Sequence, residues 1–65
     1  MTKKDYLETW GFLQALKDII DGKAKAAAQR TDETSRTLAA DYTRQAAEIH
    51  ALQKKIQQAA DSAPE

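Results

Sequence analysis

Between Leu38 and Ala63, the side chains Leu38, Tyr42, Gln45, Ile49, Leu52, Ile56, Ala59 and Ala63 recur at alternating steps of four and three. That period is the seam of a coiled-coil helix, and it constrains the chain more than any other feature, because a seam is a surface that must be covered. One member, Gln45, is polar; it reads either as a residue that fixes register or as one tolerated near solvent.

The means of covering that seam are few. At roughly 1.5 kcal/mol of ordering entropy per residue, a chain of 65 residues folds alone only with a very efficient core or a staple. Cysteine is absent, which excludes a disulfide and a thiolate metal site. Self-association is the remaining way to bury enough surface.

Helix formers dominate, valine is absent, and the one proline is Pro64. No strand-like alternation bounded by turns occurs, so the fold class is all-α. Thr2 is placed to cap a first helix, with Asp5 three residues on in the role of the capping-box acid. Tyr6, Trp10, Leu13, Leu16 and Ile20 then fall on one face, spanning about 120° at 100° per residue. Phe12 and Ile19 widen the arc by about 60°. A single neighbouring helix cannot cover that arc, which predicts that the first helix touches two neighbours and that a simple hairpin leaves the Phe12, Leu16 and Ile19 edge open. Leu7 lies outside the arc.

Two antiparallel hairpins are compatible with the pattern. With a turn at Arg30–Asp32, Thr31 supplies a hydroxyl cap, Asp32 and Glu33 face the positive helix end, and Asp32 pairs with Arg36. That hairpin sets Tyr6 near Ile56, Trp10 near Leu52, Leu13 near Ile49 and Ile20 near Tyr42. With a turn at Gly22 in the left-handed conformation, a long second helix runs from about Lys23 to Ala60. Matching of bulk favours the first. Gly11, the other glycine inside the helical pattern, lies opposite the apolar arc and reads as solvent-facing or as a point of close approach. Residues 1–60 form one hairpin domain, expected to dimerise into a four-helix bundle, and residues 61–65 form a tail expected to fray.

Chemistry is hard to place on this chain. The one histidine, His50, has Ala46, Ala47, Gln53 and Lys54 at helical neighbour positions, none of them a strong ligand, so no metal is expected. Carboxylates stand singly among basic residues, no nucleophile is flanked by a base, and no glycine-rich loop is available for phosphate. The expectation is a non-enzymatic protein without a cofactor. Ten basic and ten acidic residues cancel, so no global charge draws the chain to nucleic acid or an anionic membrane. No apolar run exceeds three residues, which predicts neither a signal peptide nor a membrane span and makes the cytoplasm the expected location.

What remains is binding. Tyr6, Trp10, Phe12, Leu16 and Ile19 are candidate anchors for a larger protein partner, with the hairpin or dimer core as their plainer role. That points to a small regulator, inhibitor or adaptor acting by helix-face docking, of the phage- or plasmid-accessory kind. Lys23, Lys25, Arg30 and Arg36 form a modest basic cluster, interrupted by Asp21, Asp32 and Glu33. In architecture, two short helices per chain dimerised into a bundle, the chain resembles the plasmid-encoded Rop-type RNA-binding proteins. That resemblance implies RNA binding through such a cluster as the alternative, and it carries no motif residues. A third class is a coiled-coil structural subunit of a phage particle or secretion assembly.

Overall fold

The computed structural model describes residues 1–64; Glu65, the last residue of the expected tail, lies outside the described residues. It is a rod of 50 × 14 × 12 Å built from two antiparallel helices, α1 (Lys3–Ala28) and α2 (Glu33–Ser62). The all-α hairpin is therefore the observed fold, and its turn occupies residues 29–32. α1 runs straight through Gly22, whose φ is not positive.

The helix starts follow from local chemistry. Thr2 Oγ1 accepts from the Asp5 backbone N–H at 3.3 Å, and the Asp5 carboxylate accepts from the Thr2 backbone N–H at 3.1 Å, a complete capping box. At α2 the cap is Asp32, not Thr31. Its carboxylate accepts from the Ser35 backbone N–H at 3.0 Å and from the Ser35 hydroxyl at 2.8 Å. Because Asp32 stands outside the helix as its cap, it does not pair with Arg36; its basic neighbour is Arg30 Nε, at 3.3 Å. At the far end of the rod α2 continues to Ser62, and the Lys3 backbone N–H donates to the Pro64 carbonyl at 3.2 Å.

Each helix presents a strict alternation of three and four steps to the other. On α1 the stripe is Lys3, Tyr6, Trp10, Leu13, Lys17, Ile20, Ala24 and Ala27, all at least partly covered. On α2 it is Ser35, Ala39, Tyr42, Ala46, Ile49, Gln53, Ile56, Ala60 and Ala63. Gln53 is 2% exposed, and its side-chain amide donates to the Trp10 carbonyl at 3.3 Å and to Gln14 Oε1 at 3.0 Å. Together with the Lys3–Pro64 bond this sets the register: Tyr6 lies across from Ala60, Trp10 from Ile56, Leu13 from Gln53, Ile20 from Ala46 and Tyr42 from Ala24.

That register is one helical turn away from the one that matching of bulk favours. Tyr6 does not face Ile56, nor Trp10 Leu52, nor Ile20 Tyr42. The reason is volume. Tyr6, Ile20 and Tyr42 set against Ala60, Ala46 and Ala24 interdigitate, and Trp10 against Ile56 is the one pairing of two large apolar side chains. The other register would set large against large throughout and hold the helices apart. Gln53 adds a second reason, since a buried amide costs free energy unless it is bonded, and this register bonds it.

The interior is thin. Among the described residues the buried apolar side chains are Ala46, Ile49 and Ala60, and no large side chain is fully buried. Nor, among them, is any helix long and apolar enough to cross a membrane.

Both glycines sit inside α1 with open space where a Cβ would stand. Gly22→Ala and Gly11→Ala are expected to stabilise the fold by about 1 kcal/mol each, through helix propensity. Urea melts monitored by circular dichroism would check this, and a loss of stability at Gly11 would reveal a close neighbour there.

Candidate functional site

In heptad lettering the inward residues of both helices are a and d, with Lys3, Trp10, Lys17 and Ala24 at a of α1 and Ala39, Ala46, Gln53 and Ala60 at a of α2. In an antiparallel pair the g positions of the two helices share one flank of the hairpin and the e positions share the other. The contacts agree: one open groove of about 670 Å³ is walled by Ala24, Lys25 and Ala28 of α1 together with Ala40, Thr43 and Ala47 of α2, all on the e side or its border.

The g flank has a different character. Leu16 on α1 and Leu38, Gln45, Leu52 and Ala59 on α2 are its g residues, and Phe12 and Ile19 adjoin Leu16 one turn before and after it. Phe12 is 78% exposed and Ile19 58%, while Leu16 and Leu52 are each nearly half exposed. Exposed large apolar residues are ordinary when scattered. Here four of them, Phe12, Leu16, Ile19 and Leu52, gather on one flank at mid-rod, which makes that flank the candidate interaction surface.

The sequence-derived residues therefore divide. Of the α2 seam, Tyr42, Ile49 and Ile56 face α1, whereas Leu38, Gln45 and Leu52 stand on the open flank. Gln45 is exposed, and the polar residue held between the helices is Gln53. Of the candidate anchors on α1, Tyr6 and Trp10 are partly covered by α2, while Phe12, Leu16 and Ile19 are open. Leu7 is exposed beside Lys3, Lys4 and Glu8. The inward positions that the Leu38-based stripe passes over are Ala39, Ala46, Gln53 and Ala60. Their own three–four spacing is equally regular, and the cluster of alanines in it is the signal that finds them.

Lys23, Lys25, Arg30 and Arg36 all lie toward the turn, but on different sides. Lys23 is at a g position, Lys25 and Arg36 are at b and e positions on the opposite flank, and Arg30 is in the turn beside Asp32. His50 is exposed at an e position. Among the described residues no group of three or more His, Cys, Asp or Glu side chains could hold a metal ion.

Two carboxyl groups are displaced from their ordinary range, and both are caps. Bonds from the Thr2 backbone N–H and then its hydroxyl hold Asp5 low. Asp32 is held low first by the Ser35 hydroxyl, then by the Ser35 backbone N–H, with Arg30 adding to both. Neither belongs to an acid–base pair on the open flank. No family model, curated protein or solved structure matches the chain.

Because both carboxyls are lowered in the fold, their contribution to stability is present above the unfolded carboxyl pKa of about 3.9 and is lost as the pH falls below it. Thermal melts are expected to be flat from neutral pH to about pH 5 and to fall steadily below pH 4. Asp32→Asn should flatten part of that fall, read by circular dichroism across the same range.

Proposed function

We propose that this chain is a non-enzymatic helix-docking module: a small regulator, inhibitor or adaptor of a larger protein, which exists as a homodimeric four-helix bundle when no other partner is bound. The observation that supports this reading is the apolar flank of Phe12, Leu16, Ile19 and Leu52, left open beside a core whose buried apolar side chains, among the described residues, are Ala46, Ile49 and Ala60. Docking a helical surface on the flank removes those four side chains from water, each worth about 2 kcal/mol when fully buried.

The area supports the same reading. A folded monomer of 7.2 kDa exposes about 4,100 Å² by the usual scaling of surface with mass. The hairpin exposes 4835 Å², so it carries roughly 700 Å² more than a self-sufficient chain of its mass. A standard protein interface removes about 800 Å² from each partner. The surplus and the need match in size.

In analytical ultracentrifugation the wild-type chain is expected to sediment as one discrete dimer at micromolar concentration. Leu16→Asp should weaken that dimer by at least about a hundredfold, as expected for a charge placed in an apolar contact. A cooperatively folded wild-type monomer would sink the dimer, and a ladder of species growing with concentration would instead favour an open polymer. For the larger partner, a protein retained stoichiometrically by the wild type and lost with Phe12→Asp is the expected result of affinity capture from the native host.

A further inference from the structure

We infer that the occupant of the open flank is a second copy of this chain with its turn at the opposite end of the bundle, α1 against α1 and α2 against α2, on a two-fold axis that passes beside Leu52. This rests on the dimer read above and adds the arrangement, which a four-helix bundle alone leaves undecided.

A two-fold axis can bring two such flanks together in two ways. An axis parallel to the helices keeps both turns at one end and pairs α1 with the α2 of the other copy. Every residue then faces what is already level with it in its own hairpin. By the register fixed at Gln53 and Lys3, the α2 flank residues nearest to Phe12 and Ile19 would be Lys55 and Glu48 of the other copy. That arrangement presses a charge onto each end of the apolar stripe and desolvates it without an opposite charge to meet it.

An axis perpendicular to the helices reverses one copy. With Leu52 set on the partner's Leu52, Phe12 comes level with the partner's Leu16, and Leu16 with the partner's Phe12. The same operation brings Asp5 level with the partner's Lys23, Glu48 with the partner's Lys55, and Gln45 with the partner's Ala59. Phe12 and Leu16 meet at the centre, Ile19 falls level with the partner's Thr9, and acid meets base on both sides. One axis position satisfies α1 and α2 at once, although nothing in the hairpin itself requires the two helices to agree.

The charges concerned are free to take those roles. Lys23, Glu48 and Lys55 have no ion-pair partner among the described residues, whereas Lys17, Arg30 and Arg44 are paired within the hairpin. The capping bonds of Asp5 use Oδ2, leaving Oδ1 without a bond among the described residues. Rim pairs of this kind set partner orientation more than affinity.

Because the chain has no cysteine, a spin label at Thr31→Cys reports on the turn alone. With opposed turns the label-to-label distance by pulsed electron resonance should be about 50–60 Å, from a rise of 1.5 Å per residue between the level of Leu52 and the turn in each copy. With both turns at one end it should lie within roughly 20 Å, set by helix spacings of about 10 Å. A short distance in a sample that sediments as a dimer overturns the arrangement and leaves the dimer standing; a monomer by sedimentation overturns both. Charge exchange tests the register within the arrangement. Glu48→Lys and Lys55→Glu should each weaken the dimer several-fold at low salt, and the double exchange should restore it. Single variants that dimerise like the wild type would place the axis elsewhere and overturn the proposal.

Discussion

The contact between α1 and α2 is made largely of small side chains on the α2 side, and the rest of the structure follows from that. Ser35, Ala39, Ala46, Ala60 and Ala63 supply five of the nine positions that α2 turns toward α1. Small residues let the helices approach, and Tyr6 and Ile20 of α1 then have alanine recesses across from them, at Ala60 and Ala46. A close, narrow contact also covers little. α1 carries an apolar arc of nearly half its circumference, and a slender α2 stripe shields only the part around Tyr6, Trp10, Leu13 and Ile20. Phe12, Leu16 and Ile19 stay open as a direct result of the packing that makes the hairpin tight.

Within that contact one polar side chain decides the register. A smooth row of alanines would let one helix slide along the other by a heptad with little penalty, because each recess resembles the next. Gln53 removes that freedom. Buried and bonded to the Trp10 carbonyl and to Gln14, it would lose both bonds on a slip and remain out of water. Lys17 contributes differently, laying its stem along the seam while its ammonium group reaches Asp21 at 2.9 Å.

Much of this was legible in the sequence, and the part that was not has a definite cause. The helices, the Thr2–Asp5 box and the open edge of α1 all follow from local propensity, capping chemistry and arc width. The pattern leaves the turn open between Gly22 and Arg30–Asp32, and the matching of bulk that favours the latter does not describe the observed register. The inward face of α2 was not legible. The stripe through Leu38, Gln45, Leu52 and Ala59 and the stripe through Ala39, Ala46, Gln53 and Ala60 share Tyr42, Ile49, Ile56 and Ala63. They differ by a rotation of one residue at alternate steps. Periodicity cannot separate them, and hydrophobicity favours the stripe with the leucines. Closeness of packing chooses the one with the alanines, and closeness is a property of two helices together. The Asp32 cap was missed because Thr31 and Asp32 are both capping residues side by side; Asp is the stronger cap of the two, and the Ser35 hydroxyl adds a second bond to its carboxylate.

The same rotation changes what the open flank means. Had the leucines faced inward, α2 would present alanines and glutamines to solvent, and only the edge of α1 would be unpartnered. With the alanines inward, both helices direct large apolar side chains to one side of the rod, at the same height. For a chain that had only to fold alone, that distribution is inverted, since the bulk that would thicken its core lies outside it. A thin intramolecular contact, with the remaining bulk collected on a single flank and bordered by charges unpaired among the described residues, is the distribution expected of a chain that makes a further contact. In the dimer proposed above, the hairpin is one half of a larger core, and the flank is the plane along which that core divides.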